Sequence, residues 1–144
     1  MKNLLLTFAV SLLSTCYSQK DINVQRNYGA RGYDLVMYQS NVAKKGKRKF
    51  TFVYEGVKYK FISKQNRTLF ESNPSLYLPE YGGWCAYAMA LNGSKVKINP
   101  KTFQLYNGKL YLFYNVFFNN TLDTWKEDGE DTMRKKADEE WEKL

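Results

Sequence analysis

Two tight-turn signals most constrain the fold of this chain. Residues 51–61 read TFVYEGVKYKF, two alternating apolar and polar runs that Glu55-Gly56 separates. Residues 102–114 read TFQLYNGKLYLFY, with Asn107-Gly108 at the centre. Asn-Gly is the pair that type I′ turns favour, because both central residues of that turn need a positive φ. The sequence therefore predicts two antiparallel β-hairpins.

Helical signals follow each hairpin. Ser63 occupies an N-cap position before residues 64–72, and Asn73-Pro74 ends that short helix. In the C-terminal tail, the apolar residues at near-helical spacing are Phe118, Leu122, Trp125, Met133, Ala137, Trp141 and Leu144. We therefore expect an α+β fold with small antiparallel hairpins, a short helix after the first hairpin, and C-terminal helices.

Three further segments carry weaker signals. Residues 32–38 (GYDLVMY) have the aromatic and β-branched content of a short strand. Residues 84–91 fit a helix and a strand equally well. Gly82-Gly83, just before them, marks backbone that must turn or approach another group closely.

The absence of histidine excludes several kinds of site. None of the 144 residues is histidine, and two are cysteine. A Ser-His-Asp or Cys-His nucleophile, a histidine zinc site and a histidine general base are thereby excluded within this chain, and two cysteines are too few for a four-cysteine site. The length suits one domain with one hydrophobic core.

The N terminus has the features of an export signal. Lys2 and the apolar run of residues 4–13 match the charged and apolar regions of a signal peptide, and this run is too short to span a bilayer. Residues 1–18 are thus a predicted signal peptide, with Gln19 first in a periplasmic or secreted protein. The alternative is a lipobox that ends at Cys16, which would be acylated and anchor the protein to a membrane.

Charge is unevenly distributed along the chain. The whole sequence has 22 basic and 14 acidic residues, but residues 121–144 have 5 basic and 9 acidic ones, so the tail could neutralise part of the basic body. Residues 44–49 (KKGKRK) suit a solvated loop, or else a partner with an anionic surface rather than nucleic acid. Residues 19–31 lack periodicity and are predicted to be a flexible segment before a domain at 32–144.

An ordered set of short motifs spans that domain. In chain order the motifs are Gly32-Tyr33-Asp34-Leu35-Val36, Tyr59-x-Phe61-x-Ser63, Asn73-Pro74, Tyr77-x-Pro79-x-Tyr81-Gly82-Gly83-x-Cys85-Ala86, Pro100, Gly108-Lys109-Leu110-Tyr111-Leu112, Trp125, Asp128, Ala137-Asp138 and Trp141. Together they resemble the YHS domain-containing (seleno)protein family of exported bacterial proteins. The resemblance extends over nearly the whole chain after the predicted signal peptide.

The resemblance implies a limited set of functions. The wider YHS family is similar to small heavy-metal-binding modules, whose cysteines lie in a DPVCGM-like opening and after the Y-x-F stretch. The corresponding residues 34–37 and 61–64 contain no cysteine, and Leu35 stands where the family has proline. That thiolate site is therefore absent on this correspondence. The family name records members with selenocysteine, and we infer that Cys85 occupies the exchangeable position.

Cys85 carries the leading functional hypothesis. It is the one cysteine that remains after residue 18, and an unpaired thiol is unusual in an oxidising compartment. The hypothesis is thiol redox chemistry through a sulfenic acid, by peroxide reduction or by disulfide exchange with a thiol partner. The candidate residues that would line this site are Tyr81, Gly82, Gly83 and Trp84.

Two alternatives stay open at this point. The first is a small-ligand or soft-metal binding module, in which Cys85, Met37 and Met89 could bind copper(I). The second is a purely structural Cys85 that packs as a small hydrophobic residue. The redox and structural hypotheses require no cofactor, and the sequence does not establish whether the protein is an enzyme.

Overall fold

The computed structural model describes residues 21–144, in which paired strands and four helices form the expected α+β fold. The strands, paired antiparallel in succession, are β1 (Val24–Gln25), β2 (Tyr28–Gly29), β3 (Lys47–Tyr54), β4 (Val57–Phe61), β5 (Asn99–Tyr106), β6 (Lys109–Phe113), β7 (Asn115–Val116) and β8 (Asn119–Asn120). The helices are α1 (Lys64–Ser72), α2 (Ala86–Asn92), α3 (Thr121–Glu127) and α4 (Glu130–Glu142). The predicted signal peptide and Cys16 lie outside the described residues.

Both predicted hairpins are confirmed. Glu55 and Gly56 join β3 to β4 with φ of 47° and 78°, and Asn107-Gly108 joins β5 to β6 with φ of 49° and 75°. Positive φ at both central residues is the geometry that Asn107-Gly108 favours, and in the first hairpin Gly56 favours it while Glu55 does not. The predicted short helix is confirmed as α1, where the Ser63 hydroxyl accepts a hydrogen bond from the Asn66 amide at 3.1 Å.

Residues 32–38 do not form the strand that their composition suggested. Tyr33 makes a single antiparallel bridge to Lys45, and Met37–Ser40 form a 3₁₀ turn. The Asp34 side chain causes this curvature, because its Oδ1 accepts hydrogen bonds from the amides of Val36 and Met37. The undecided residues 84–91 are mostly helical, since α2 begins directly after Cys85.

The segment at 21–31 also differs from the flexible entry that we predicted. Its residues form the β1–β2 hairpin, and Asn23 is buried. The Asn23 amide donates to the Gly82 carbonyl at 2.9 Å, and its Nδ2 donates to the Gly83 carbonyl at 2.9 Å. These partners lie far along the chain, so the local sequence gave no sign of them. The basic run at 44–49 is likewise only half loop, because β3 begins at Lys47.

Two buried clusters share strand β6. The first contains Ala30, Leu35, Tyr38, Tyr59, Phe61, Phe70, Tyr77, Cys85, Ile98, Leu110 and Leu112. The second contains Tyr81, Ala86, Met89, Ala90, Tyr111, Phe113, Trp125, Met133 and Ala137. Successive β6 side chains alternate between the two because a strand presents consecutive residues on opposite faces. Strand β6 thus joins the hairpin layer to the helices.

The C-terminal helices complete the second cluster. Trp125 of α3 and Met133 and Ala137 of α4 are buried, as the helical spacing predicted, whereas Phe118 lies in the turn before α3. In the described chain, the ion pairs formed by residues of the tail lie within the tail. Its acidic groups contact the body through neutral partners such as Tyr81. None of the described helices is long and apolar enough to cross a membrane.

Candidate functional site

The Cys85 thiol is enclosed by the protein. Its side chain has no solvent exposure, and the Tyr114 amide donates a hydrogen bond to Sγ at 3.3 Å. The Thr121 hydroxyl lies 3.4 Å from Sγ and donates its own proton to the Tyr114 carbonyl at 2.8 Å. The thiol is therefore left to act as donor toward Thr121. Both polar contacts of the sulfur are structural, and the redox role stays a prediction.

The candidate sulfur ligands do not share one buried cluster. Cys85 packs in the first cluster and Met89 in the second, and Met37 belongs to neither. Within residues 21–144, no group of three or more cysteine and carboxylate side chains is arranged to hold a metal ion. The copper(I) hypothesis stays a prediction that this arrangement does not support.

The four residues expected around Cys85 separate into two pairs. Tyr81 and Gly82 line a cleft that does not include Cys85. Gly83 and Trp84 instead hold the N-terminal segment, since the Gly83 carbonyl accepts from Asn23 and the Trp84 indole donates to a backbone carbonyl at 3.1 Å. The chain turns sharply here, because Tyr81, Gly82 and Gly83 all have positive φ.

The cleft is the main candidate site of the described chain. It has a volume of about 290 Å³ and lies between the β1–β2 hairpin, the first hairpin, residues 75–82 and the end of α4. Its aromatic lining residues are Tyr54, Tyr59, Tyr81 and Trp141. Its charged lining residues are Glu55 and Glu80, and no lysine or arginine of residues 21–144 lines it.

The cleft tyrosines are held neutral. The Tyr81 hydroxyl donates to Asp138 Oδ1 at 2.9 Å, and burial together with this carboxylate raises the pKa of Tyr81 well above the usual range. Burial raises the pKa of Tyr59 to about 12. The Tyr81 and Trp141 rings meet edge to face, with centroids 6.4 Å apart. The cleft therefore presents uncharged aromatic rings at neutral pH.

Two polar side chains among the lining residues, Glu80 and Asn23, differ in how they could meet a ligand. Burial raises the pKa of Glu80, Asp138 raises it further, and Lys109, with Nζ 3.7 Å from a Glu80 oxygen, opposes the shift. Asn23 is only 3% exposed, and its Oδ1 has no hydrogen-bond partner in the described chain. A buried acceptor without a partner is costly to folding, and this oxygen has no exposed surface through which a ligand could reach it in this structure.

The sequence indicated some of the residues that line the cleft. It singled out Tyr81 and Gly82 but placed them beside the cysteine, and it missed Asn23 because that residue lies in the segment predicted to be flexible. Trp141 stood in the motif set without a role. No local signal connects these residues, because three separate parts of the chain bring them together.

Comparisons with known proteins give no match. No protein-family model matches the chain, and neither a curated protein nor a solved structure matches it. The resemblance to the YHS family is therefore carried by the motifs of the sequence alone, and family membership stays a prediction.

Proposed function

We propose that this protein is a binding module for a small organic cation, an amine or quaternary ammonium compound with an apolar body. The observation that carries the proposal is the lining of the cleft, where two carboxylates and four aromatic rings meet and no basic side chain of residues 21–144 is among the lining residues. Lys109 pairs with Glu80 at 3.7 Å but does not line the cleft. That composition stands out in a chain whose net charge is +8. Aromatic faces and carboxylates attract cations, and the same set repels anions.

Glu80 and the size of the cleft define how such a ligand would bind. Glu80 supplies negative charge in a partly desolvated position, where an ion pair is less screened than on the open surface. A cleft of about 290 Å³ is at the small end of ligand sites, which suits a compact molecule.

Ligand binding in this cleft does not use the thiol. Cys85 is not among the lining residues, and its sulfur is engaged by Tyr114 and Thr121 in the first core. Thiol redox chemistry therefore stays a separate proposal, which requires the protein to open before a reagent or partner reaches the sulfur. The binding proposal requires no such opening.

Titration of matched probes tests the binding proposal. The chain from Gln19 contains both buried clusters, so it can be titrated by calorimetry with choline, with phenyltrimethylammonium and with the neutral alcohol in which carbon replaces the choline nitrogen. We expect at least one cation to bind about tenfold more tightly than the neutral alcohol. Equal affinities, or no binding of either cation, would overturn the proposal.

Two carboxylate variants locate the bound cation. Glu80→Gln keeps the shape of the side chain and removes the charge, so we expect it to weaken cation binding without changing the affinity for the neutral alcohol. Glu139→Gln removes an exposed carboxylate of α4 that does not line the cleft, and it should leave both affinities unchanged. Equal losses in the two variants would indicate nonspecific electrostatics instead of a site.

We further propose that the protein is an exported member of the YHS-domain family, supported by the signal-like residues 1–18 and the ordered motifs. The intact mass of the protein recovered after export tests the first part. A chain that begins at Gln19 agrees with signal cleavage. A chain that begins at Cys16 with added acyl groups agrees with a lipid anchor.

A further inference from the structure

The β7–β8 hairpin exposes two phenylalanines at its tip. Phe117 and Phe118 join the two short strands, with 95% and 106% of their surface exposed. Neither ring belongs to either buried cluster. Val116, at the end of β7, is also exposed. We call residues 116–118 the aromatic tip.

Turn chemistry does not explain these residues. The two longer hairpins use Glu55-Gly56 and Asn107-Gly108, whose glycines adopt positive φ without strain. At the aromatic tip Phe117 adopts a φ of 54°, which is unfavourable for a bulky side chain. Two fully exposed rings also reduce solubility. The two rings are therefore an exposed apolar surface that neither buried cluster uses.

A strongly basic surface begins at the base of the aromatic tip. Val116 and Asn115 line one cavity, whose cationic lining residues are Arg26, Arg31 and Lys97. The cationic lining residues of a second cavity are Arg26, Arg31, Lys45 and Lys101. The five cations, which we call the basic face, are Arg26, Arg31, Lys45, Lys97 and Lys101. No acidic side chain lines either cavity, and none of the five forms an ion pair within residues 21–144.

We propose that the aromatic tip and the basic face dock the protein on an anionic lipid bilayer. Phe117 and Phe118 would enter the boundary between headgroups and acyl chains, and the basic face would contact the lipid phosphates. A soluble polyanion would satisfy the cations but would leave the two rings in water. A fluid interface accepts both features at once, because apolar and anionic groups lie at adjacent depths in a bilayer.

The proposal does not depend on the function assigned to the cleft. No residue that lines the cleft lines either cavity of the basic face. The two sites therefore fail or succeed separately, and membrane binding is measured in the absence of any cleft ligand.

Cosedimentation with vesicles tests the proposal. The chain from Gln19, which lacks the apolar residues 4–13, is mixed with vesicles of three parts phosphatidylcholine to one part phosphatidylglycerol, or with phosphatidylcholine alone. We expect binding to the mixed vesicles that weakens at high salt. Phe117→Ser/Phe118→Ser should lower the partition coefficient by about tenfold or more, since two exposed rings would be removed.

Charge variants and a soluble polyanion complete the test. Arg26→Asn/Lys97→Gln should weaken binding by about 25-fold, at roughly fivefold for each cation, and the asparagine suits the positive φ of Arg26. Lys135→Gln/Lys136→Gln, an equal charge change on the exposed surface of α4, should have a much smaller effect. Binding to mixed vesicles that is unaffected by the phenylalanine variant would overturn the proposal. So would binding to heparin together with no binding to mixed vesicles, which would indicate a polysaccharide partner.

Discussion

Replacement of Asp34 tests a buried carboxylate that organises the first core. Asp34 has no solvent exposure, and Oδ1 accepts from the Val36 amide at 2.9 Å. Oδ2 accepts from the Ile62 amide at 2.7 Å and from Asn66 Nδ2 at 2.8 Å. One side chain therefore joins the turn after Asp34, the end of β4 and the first turn of α1. We expect its loss to unfold the protein at much lower denaturant concentration.

The magnitude follows from the donors left without an acceptor. Asp34→Ala would leave three well-formed donors unpaired, and each costs about 1–3 kcal/mol when buried. The gain from no longer burying a carboxylate offsets part of that cost, so we expect a loss of about 3–5 kcal/mol. Asp34→Asn preserves the shape but presents NH₂ in place of one oxygen, and we expect it to cost about 2 kcal/mol.

Urea unfolding followed by tryptophan fluorescence measures both variants, because Trp125 is fully buried and reports on the core. Glu139→Ala is the matched control, since this carboxylate is exposed on α4, and it should change the free energy of unfolding by less than about 0.5 kcal/mol. If both Asp34 variants fell within that margin of the wild type, the organising role of the carboxylate would be refuted.

Three further predictions address the sulfur, the cleft and its backbone. Maleimide should label Cys85 about 1000-fold more slowly in the folded than in the denatured protein, because the thiol is fully buried, and near-equal rates would support the redox role. As the pH is lowered, cation affinity measured by calorimetry should begin to fall while the pH is still above the usual glutamate range, because the raised pKa of Glu80 means that its carboxylate is already protonated there. Glu80→Gln should remove that fall. Gly82→Ala should cost about 1–2 kcal/mol more in urea unfolding than Gly108→Ala, because both glycines have positive φ but only at Gly82 would the new Cβ lie 2.8 Å from the Asp21 carbonyl oxygen; equal costs would contradict this contact.

The sequence predicted those elements that neighbouring residues determine. Gly56 and Asn107-Gly108 set their turns by backbone preference, and Ser63 caps the helix that starts one residue later. The apolar spacing of the tail located α3 and α4 because a helix buries one face. Each of these signals acts within about one helical turn or one hairpin loop, so the sequence alone was sufficient.

The predictions made from the sequence are wrong where residues far apart along the chain decide the structure. Residues 32–38 look like a strand, yet Asp34 finds its partners Ile62 and Asn66 about thirty positions later and holds the chain in a turn. Asn23 looks like part of a flexible entry, yet Gly82 and Gly83 fix it across the fold. Composition cannot show such pairings, because the polar groups involved are common in loops of every kind.

The distribution of charge allows the two proposed sites to act side by side. A basic protein tends to repel cations, but among residues 21–144 the charged residues that line the cleft are Glu55 and Glu80, so the local potential they create opposes that of the whole chain. The basic face has the opposite composition, and its unpaired cations would repel the ligands that suit the cleft. An anionic bilayer would therefore be attracted to the basic face and not to the cleft.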